Sequence, residues 1–430
     1  MAPAHQTISH RSMLIAGFST VVEWYDFTLY IYVATILSRV MFGGGDGSLV
    51  AVLAGFAISY LMRPLGALAM GHYGDRHGRR RAMLLSMAMM TAAMLGCALL
   101  PTHAQIGPAA GFLLLALRCV MAFAVGGEYT GVVAYLIEGA GPNRRGLITS
   151  CASAASEVGA LLAVGVAALT AWALPAAGLD AWGWRIPFFF GALLAGGVLL
   201  ARANMDESPE FERHKAAGTV PTAPLRHAMV HERIGIIRGF AISALGSISY
   251  YVGITYVPTF LGSVGAVGEG AALTLSTVAA FVVIAVTPLV GALSDQIGRR
   301  PVLIGIALAC AVGPITLFSL MAHGGIWPAL VGAVLLAALG GAWSAVGAVA
   351  TAEQFSGQAR LSGLALGVTS ATAIFGGLTP LVAQVLLEGT HWPAVPGAMI
   401  AVVALAILPV LWRIPETAPR QSWTAAPQPI

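Results

Sequence analysis

Gly71-His-Tyr-Gly-Asp75-Arg-His-Gly78-Arg79-Arg80 returns 220 residues later as Gly291-Ala-Leu-Ser-Asp295-Gln-Ile-Gly298-Arg299-Arg300, with Gly, Asp, Gly, Arg and Arg in register. A second echo stands 214–215 residues apart: Gly126-Gly127, Glu138 and Arg145 against Gly340-Gly341, Glu353 and Arg360. Two unrelated motifs repeating at nearly one spacing indicate that a unit of about half the chain was duplicated. Each copy of the first motif follows an apolar run, so the duplicated unit is a membrane one. Repeats of that kind build transporters in which two halves rock about a central site.

Composition agrees with a membrane-embedded chain. Of 430 residues, 58% are hydrophobic and only 9% charged, with a mean hydropathy of +0.83, where a soluble domain carries roughly a quarter charged residues. A soluble enzyme is excluded. A spanning helix takes about 20 apolar residues. The apolar runs between charged or Pro/Gly-rich breaks predict twelve spans, at 13–40, 49–72, 82–100, 108–138, 146–174, 185–203, 235–262, 270–293, 301–322, 327–350, 361–387 and 393–413. The predicted fold is all-α and integral to the membrane, with two pseudo-repeated six-helix bundles, 1–203 and 235–430, joined by a linker loop at 204–234. That linker carries mixed charge around Asp206–Lys215, then Pro221 and Pro224, as a hinge would. The first span has no small-residue cleavage site after it and is expected to stay uncleaved.

Arginine sets the expected orientation. Of the 22 basic residues only Lys215 is a lysine. Arg76, Arg79, Arg80 and Arg81, Arg144 and Arg145, the central loop, and Arg299 and Arg300 all fall on alternate connections. Positive charge stays on the cytoplasmic side, so both termini and the linker are expected there, in the cell inner (plasma) membrane. The net charge of +4 is accounted for by basic loops beside anionic lipid, and no nucleic acid partner is expected. Cys97, Cys119, Cys151 and Cys310 lie in apolar stretches without metal-ligand spacing and read as small core residues. No cofactor and no metal are expected, and the absence of a phosphate-binding Gly-rich motif excludes ATP as the driving force.

The repeated loop resembles the signature of the major facilitator superfamily. Glu23-Trp-Tyr-Asp26-Phe, Arg63-Pro-Leu-Gly and Gly127-Glu128-Tyr resemble its metabolite:proton symporter family, whose members take up citrate, 2-oxoglutarate, shikimate, proline or betaine. Ser294-Asp-Gln-Ile-Gly-Arg-Arg-Pro-Val-Leu and Ala371-Thr-Ala-Ile-Phe-Gly-Gly-Leu-Thr-Pro380 look like the citrate and tricarballylate branch. The resemblance implies proton-coupled import of a small organic acid by a protein that works as a monomer. Span 5 lacks the Gly-Pro run of the superfamily's drug antiporters, which argues against drug efflux. A transporter-like sensor or channel that no longer cycles is the reading from another class.

Charges inside apolar spans cost a few kcal/mol each and mark pathways. Here they are Glu23, Asp26, Arg63, Arg118, Glu128 and Glu157, all in the first half. Glu23 and Asp26, three apart, share one helical face. With Glu128 and Glu157 they are the candidate proton carriers, Asp26 and Glu128 foremost; the bland alternative is that they only pair with arginines to lock spans together. Arg63 and Arg118, whose guanidinium forks match carboxylates, are candidate substrate contacts, with Tyr25, Tyr250 and Trp343 as aromatic ones. Asp75, Arg79, Arg80, Glu138, Arg145, Asp295, Arg299 and Arg300 read as a gate. In it Asp reaches the N-terminus of a neighbouring helix and Arg a carboxylate such as Glu138.

Overall fold

A computed structural model of the chain describes residues 9–45, 48–126, 128–219, 224–264, 266–267, 269–356 and 360–418. Both ends of the chain, Gly127 and part of the linker therefore lie outside the described residues. Among the described residues every regular element is helical. Ten helices are long and apolar enough to cross a membrane; span 3, Arg79–Leu99, has 21 residues, and at about 1.5 Å per residue that matches the hydrocarbon thickness. Spans 1 and 2 complete the twelve. Each is interrupted, span 1 between His10–Tyr32 and Ala34–Phe42, span 2 between Ser48–Tyr60 and Met62–His77. The break in span 2 has a local cause: Pro64 has no N–H to offer the carbonyl of Tyr60 and its ring crowds that turn.

Two sequence expectations change. The Gly-x-x-x-Asp runs, expected as loops, are the last turns of helices that continue to His77 and Ile297. Polar side chains do not stop a helix. Gly78 and Gly298 do, at φ 109° and 113°, a region that favours glycine. The linker also contains structure, with short helices Pro209–Ala216 and Pro224–His231 that bury Phe211 and Ala228.

The chain forms two compact units that do not follow the sequence halves. The first comprises 1–139, 155–228 and 357–369; the second comprises 140–154, 229–356 and 370–430. The first turns of spans 5 and 11 thus belong to the unit opposite to the rest of their helices. Within the first unit, spans 2 and 4 touch backbone to backbone. A Cβ on Gly66 would fall onto the Phe123 carbonyl, and one on Gly126 onto the Arg63 carbonyl, the small-residue contact by which helices associate in lipid. The second unit packs Trp343, Phe260 and Phe318 at its centre. Spans 7 and 11 are irregular. π-helical turns occupy Tyr251–Thr255, Ala365–Thr369 and Ala373–Gly377, with Ala365–Thr369 in the first unit and the other two in the second, and Pro258 and Pro380 follow the first and the last of these. Such turns recur at functional positions.

Candidate functional site

In the first unit two of the mid-span carboxylates, Asp26 and Glu128, sit in buried ion pairs. Asp26 Oδ2 on span 1 accepts from Arg118 Nη1 on span 4 at 2.7 Å, and the guanidinium lies 4.6 Å from the centroid of the Tyr30 ring. Asp26 Oδ1 has no hydrogen-bond partner among the described residues. Glu128 is held far more completely. Its carboxylate pairs with Arg202 of span 6 and accepts from Ser19 at 3.0 Å and Ser86 at 2.9 Å. Arg202 also donates to the Met83 carbonyl at 2.7 Å and to Ser19. Spans 1, 3, 4 and 6 therefore meet at one cluster, in which the carboxylate is fully engaged and the Arg202 Nε has no hydrogen-bond partner among the described residues.

Arg202 is absent from the sequence-based set. It lies one residue before the expected end of span 6, where an arginine reads as a topology signal. The only hint is that Glu128, ten residues and about 15 Å along the same helix from Arg118, needs some other cation.

The remaining first-half residues are placed as follows. Glu23 is buried, and its Oε2 has no hydrogen-bond partner among the described residues. Glu157 is buried on span 5, two residues before Gly159, which abuts the Val21 backbone. Arg63 is half-buried beside the break in span 2 and lies 4.6 Å from the Phe27 ring and 5.0 Å from the Tyr60 ring. Tyr25 is fully buried, with its hydroxyl donating to the Pro187 carbonyl at 2.8 Å. In the second unit Trp343 is equally enclosed, with Nε1 donating to the Ile242 carbonyl at 2.9 Å. These two rings hold helices together. Tyr250 is half-buried against the Tyr251 ring, 5.6 Å between centroids. Cys97 and Cys310 are buried, but Cys151 is exposed on span 5, contrary to its expected core position.

The repeated motif builds the same charge lattice twice. In the first unit Asp75 accepts the backbone N–H groups of Ser362 at 2.8 Å and Leu361 at 3.3 Å, at the start of span 11, and pairs with Arg79 at 2.8 Å. Arg79 reaches Glu138 at 3.3 Å, and Glu138 pairs with Arg360 at 2.7 Å. In the second unit Asp295 accepts from Gly146 N at 2.8 Å and Leu147 N at 2.9 Å, at the start of span 5, and pairs with Arg299 at 2.8 Å. Arg299 reaches Glu353 at 3.3 Å, and Arg145 stands 4.0 Å from Glu353. A carboxylate at the first N–H groups of a helix meets unsatisfied donors and the positive end of the dipole. Each cluster therefore ties the last turn of a helix of one repeat to a helix start of the other.

Two further carboxylates, unread in the sequence, complete the lattice. Glu207 accepts from Arg80 N at 3.1 Å, and Glu416 from Arg299 N at 2.8 Å and Arg300 N at 3.0 Å. They cap the helices that begin after Gly78 and Gly298. A Cβ on Gly78 would strike Glu207, and one on Gly298 would come within 2.5 Å of Glu416. Ser208 and Thr417, the next residues, donate to Glu138 and Glu353. Arg80 and Arg300 thus enter the lattice mainly through their backbones, while the Arg80 guanidinium donates to the Ala203 carbonyl.

On the gate reading of the sequence, Asp75→Asn is expected to slow transport while leaving substrate affinity within about a factor of two. The amide keeps one acceptor for two N–H donors and loses the charge facing Arg79, and a charge-assisted contact is worth about 1.5–3 kcal/mol, roughly tenfold or more in a conformer equilibrium. Initial rates in proteoliposomes set beside equilibrium binding check this. Affinity falling as far as the rate would place Asp75 in the binding site instead of the gate.

Comparison with known proteins agrees with this architecture. Residues 12–222 match the family described as Sugar (and other) transporter and residues 266–429 the Major Facilitator Superfamily. The Escherichia coli alpha-ketoglutarate permease is 33% identical over 380 residues, covering 87% of both chains. The Corynebacterium glutamicum ectoine/proline transporter ProP is 32% identical, covering 90% of this chain and 81% of its own. The Klebsiella pneumoniae citrate-proton symporter is 31% identical, covering 89% and 87%. Among solved structures, the proton:xylose symporter XylE superposes with a TM-score of 0.81 at 19% identity, covering 95% of this chain and 96% of the other. At that identity the likeness speaks for the fold alone.

Proposed function

The chain belongs to the major facilitator superfamily, in its metabolite:proton symporter family, and from that premise we propose that it imports a small carboxylate solute together with protons. The buried Asp26–Arg118 pair, 2.7 Å long, carries this reading. While Asp26 is charged it occupies the guanidinium; a proton on Asp26 removes that competitor and leaves a cation for a substrate carboxylate. Proton loading and anion binding then favour one another, as symport requires. Arg63, half-buried among aromatic rings, is the second guanidinium of the proposed site. Asp26 is the preferred carrier, because Glu128 already satisfies both its oxygens within the protein.

For the substrate we propose a polycarboxylate of the citrate type. The relatives named above act on 2-oxoglutarate, ectoine and proline, or citrate, all of which bear a carboxylate. Two guanidinium groups suit an acid with two or three such groups. A betaine or proline would want an aromatic box for its cation, and Tyr25 and Trp343 are enclosed in helix packing instead; the rings of Phe27, Phe56 and Tyr60 beside Arg63 favour this second reading.

Uptake of labelled citrate into proteoliposomes holding only this protein, driven by an imposed pH gradient, tests both. Saturable uptake, competed by tricarballylate and 2-oxoglutarate but not by betaine, is expected. Betaine uptake without citrate uptake would overturn the substrate, and no flux with any of them would favour a sensor over a transporter.

The arginine-rich connections support cytoplasmic termini in an inner membrane. In a background without the four native cysteines, a cysteine at the exposed Gln105 should label from outside intact cells and one at the exposed Arg213 should not. Labelling at Arg213 would reverse the orientation.

A further inference from the structure

The first unit carries a cavity of about 650 Å³ that belongs to neither ion pair described above. Its wall brings together Arg76 and His77 at the end of span 2, Arg80, Arg81 and Leu84 at the start of span 3, and Lys215 of the short helix Pro209–Ala216. Glu207 and Glu212 also line it. Glu207 is already occupied, accepting from the N–H groups of Arg80 and Ser208 at 3.1 and 2.9 Å. Arg76, Arg81 and Lys215 have no carboxylate within 4.0 Å among the described residues, and the Nε of Arg80 is buried without a hydrogen-bond partner. The deeply buried arginines are treated otherwise, since Arg79, Arg118, Arg202 and Arg299 are all paired.

We propose that this cavity is a binding site for a phosphate group. Arg76, Arg80, Arg81 and Lys215 outnumber Glu207 and Glu212 on this wall by four to two, which raises the local potential for an anion, and arginine forks match phosphate oxygens in pairs. The position suits a membrane phospholipid headgroup. Arg81 and Leu85 are one turn apart on span 3, and Leu85, 41% exposed, begins the apolar surface that continues through Leu95 and Leu99. Basic cavities beside spanning helices hold anionic headgroups in this way. Free phosphate offers the same chemistry without the acyl chains.

The test uses the full-length protein, purified in detergent and stripped of lipid, with its thermal unfolding midpoint followed as ligand is added. Phosphatidylglycerol should raise the midpoint saturably, phosphatidylcholine should not, and inorganic phosphate separates the sources: an equal rise with phosphate alone assigns the site to the free anion. The triple variant Arg76→Gln, Arg81→Gln, Lys215→Gln should bind the phosphatidylglycerol roughly 100-fold more weakly, since each basic residue near an anionic lipid contributes about a factor of five. The triple lysine-or-arginine swap, Arg76→Lys, Arg81→Lys, Lys215→Arg, keeps the charge and should retain most of the binding, which separates lost binding from lost folding. A midpoint insensitive to both ligands, or a lipid effect undiminished in the glutamine variant, overturns the site.

Discussion

Replacing Arg202 by alanine is expected to destabilise the protein by about 3–5 kcal/mol, the cost of leaving one member of a buried ion pair without the other. Arg202 and Glu128 are both fully enclosed. Removing the guanidinium takes the counter-charge from the Glu128 carboxylate and a donor from Ser19 and from the Met83 carbonyl, at the junction of four spans. The thermal midpoint in detergent should fall by roughly 5 °C. Arg202→Met combined with Glu128→Gln should recover more than half of that, because a neutral pair of similar volume removes the desolvated charge as well. A single variant as stable as the parent would mean that Glu128 is not charged in the folded protein, and would return it to the candidates for proton transfer.

Asp26→Asn should abolish accumulation of substrate against its gradient while sparing exchange across the membrane. Exchange needs no net proton movement, and the asparagine imitates an Asp26 that never releases its proton, so Arg118 stays open to the anion. The expected loss is of any pH-gradient-driven uptake above the level reached without a gradient. Glu23→Gln is the informative control. Glu23 is also buried, but no arginine within 4.0 Å is neutralised by it among the described residues, so its removal should leave the accumulation ratio within about a factor of two. Arithmetic sets the scale, a tenfold ratio being about 1.4 kcal/mol. Should the pattern reverse, with Glu23→Gln uncoupled and Asp26→Asn still concentrating substrate at wild-type pH dependence, Glu23 is the carrier and the Asp26–Arg118 pair is structural.

The charge clusters illustrate how far a linear reading reaches. Asp75 and Asp295 declare themselves because they recur in register, and a carboxylate between glycines three and four residues away has few uses in an apolar protein. Glu207 and Glu416 do the same work of capping helix starts, yet 207 lies in a charged stretch where one more glutamate is unremarked. Tyr25 and Trp343 pose the opposite case. An aromatic side chain with a polar tip in a transporter span invites a substrate role, and only the carbonyls of Pro187 and Ile242, from other helices, reveal that those tips are satisfied by packing.

The sequence by itself determined the membrane class, the twelve spans and the duplication, because hydrophobic run length and internal repetition are one-dimensional properties, and the resemblance of its motifs to those of a known family pointed to the superfamily. Tertiary structure alone decided the pairings: which arginine neutralises which carboxylate, and that the first turns of spans 5 and 11 join the unit opposite to the rest of their helices. The physical reason is that a charge in a low-dielectric interior must find a partner within a few ångströms, and which residues of distant spans come that close depends on helix rotation and crossing, set by contacts such as Gly66 on the Phe123 carbonyl that no spacing along one chain encodes.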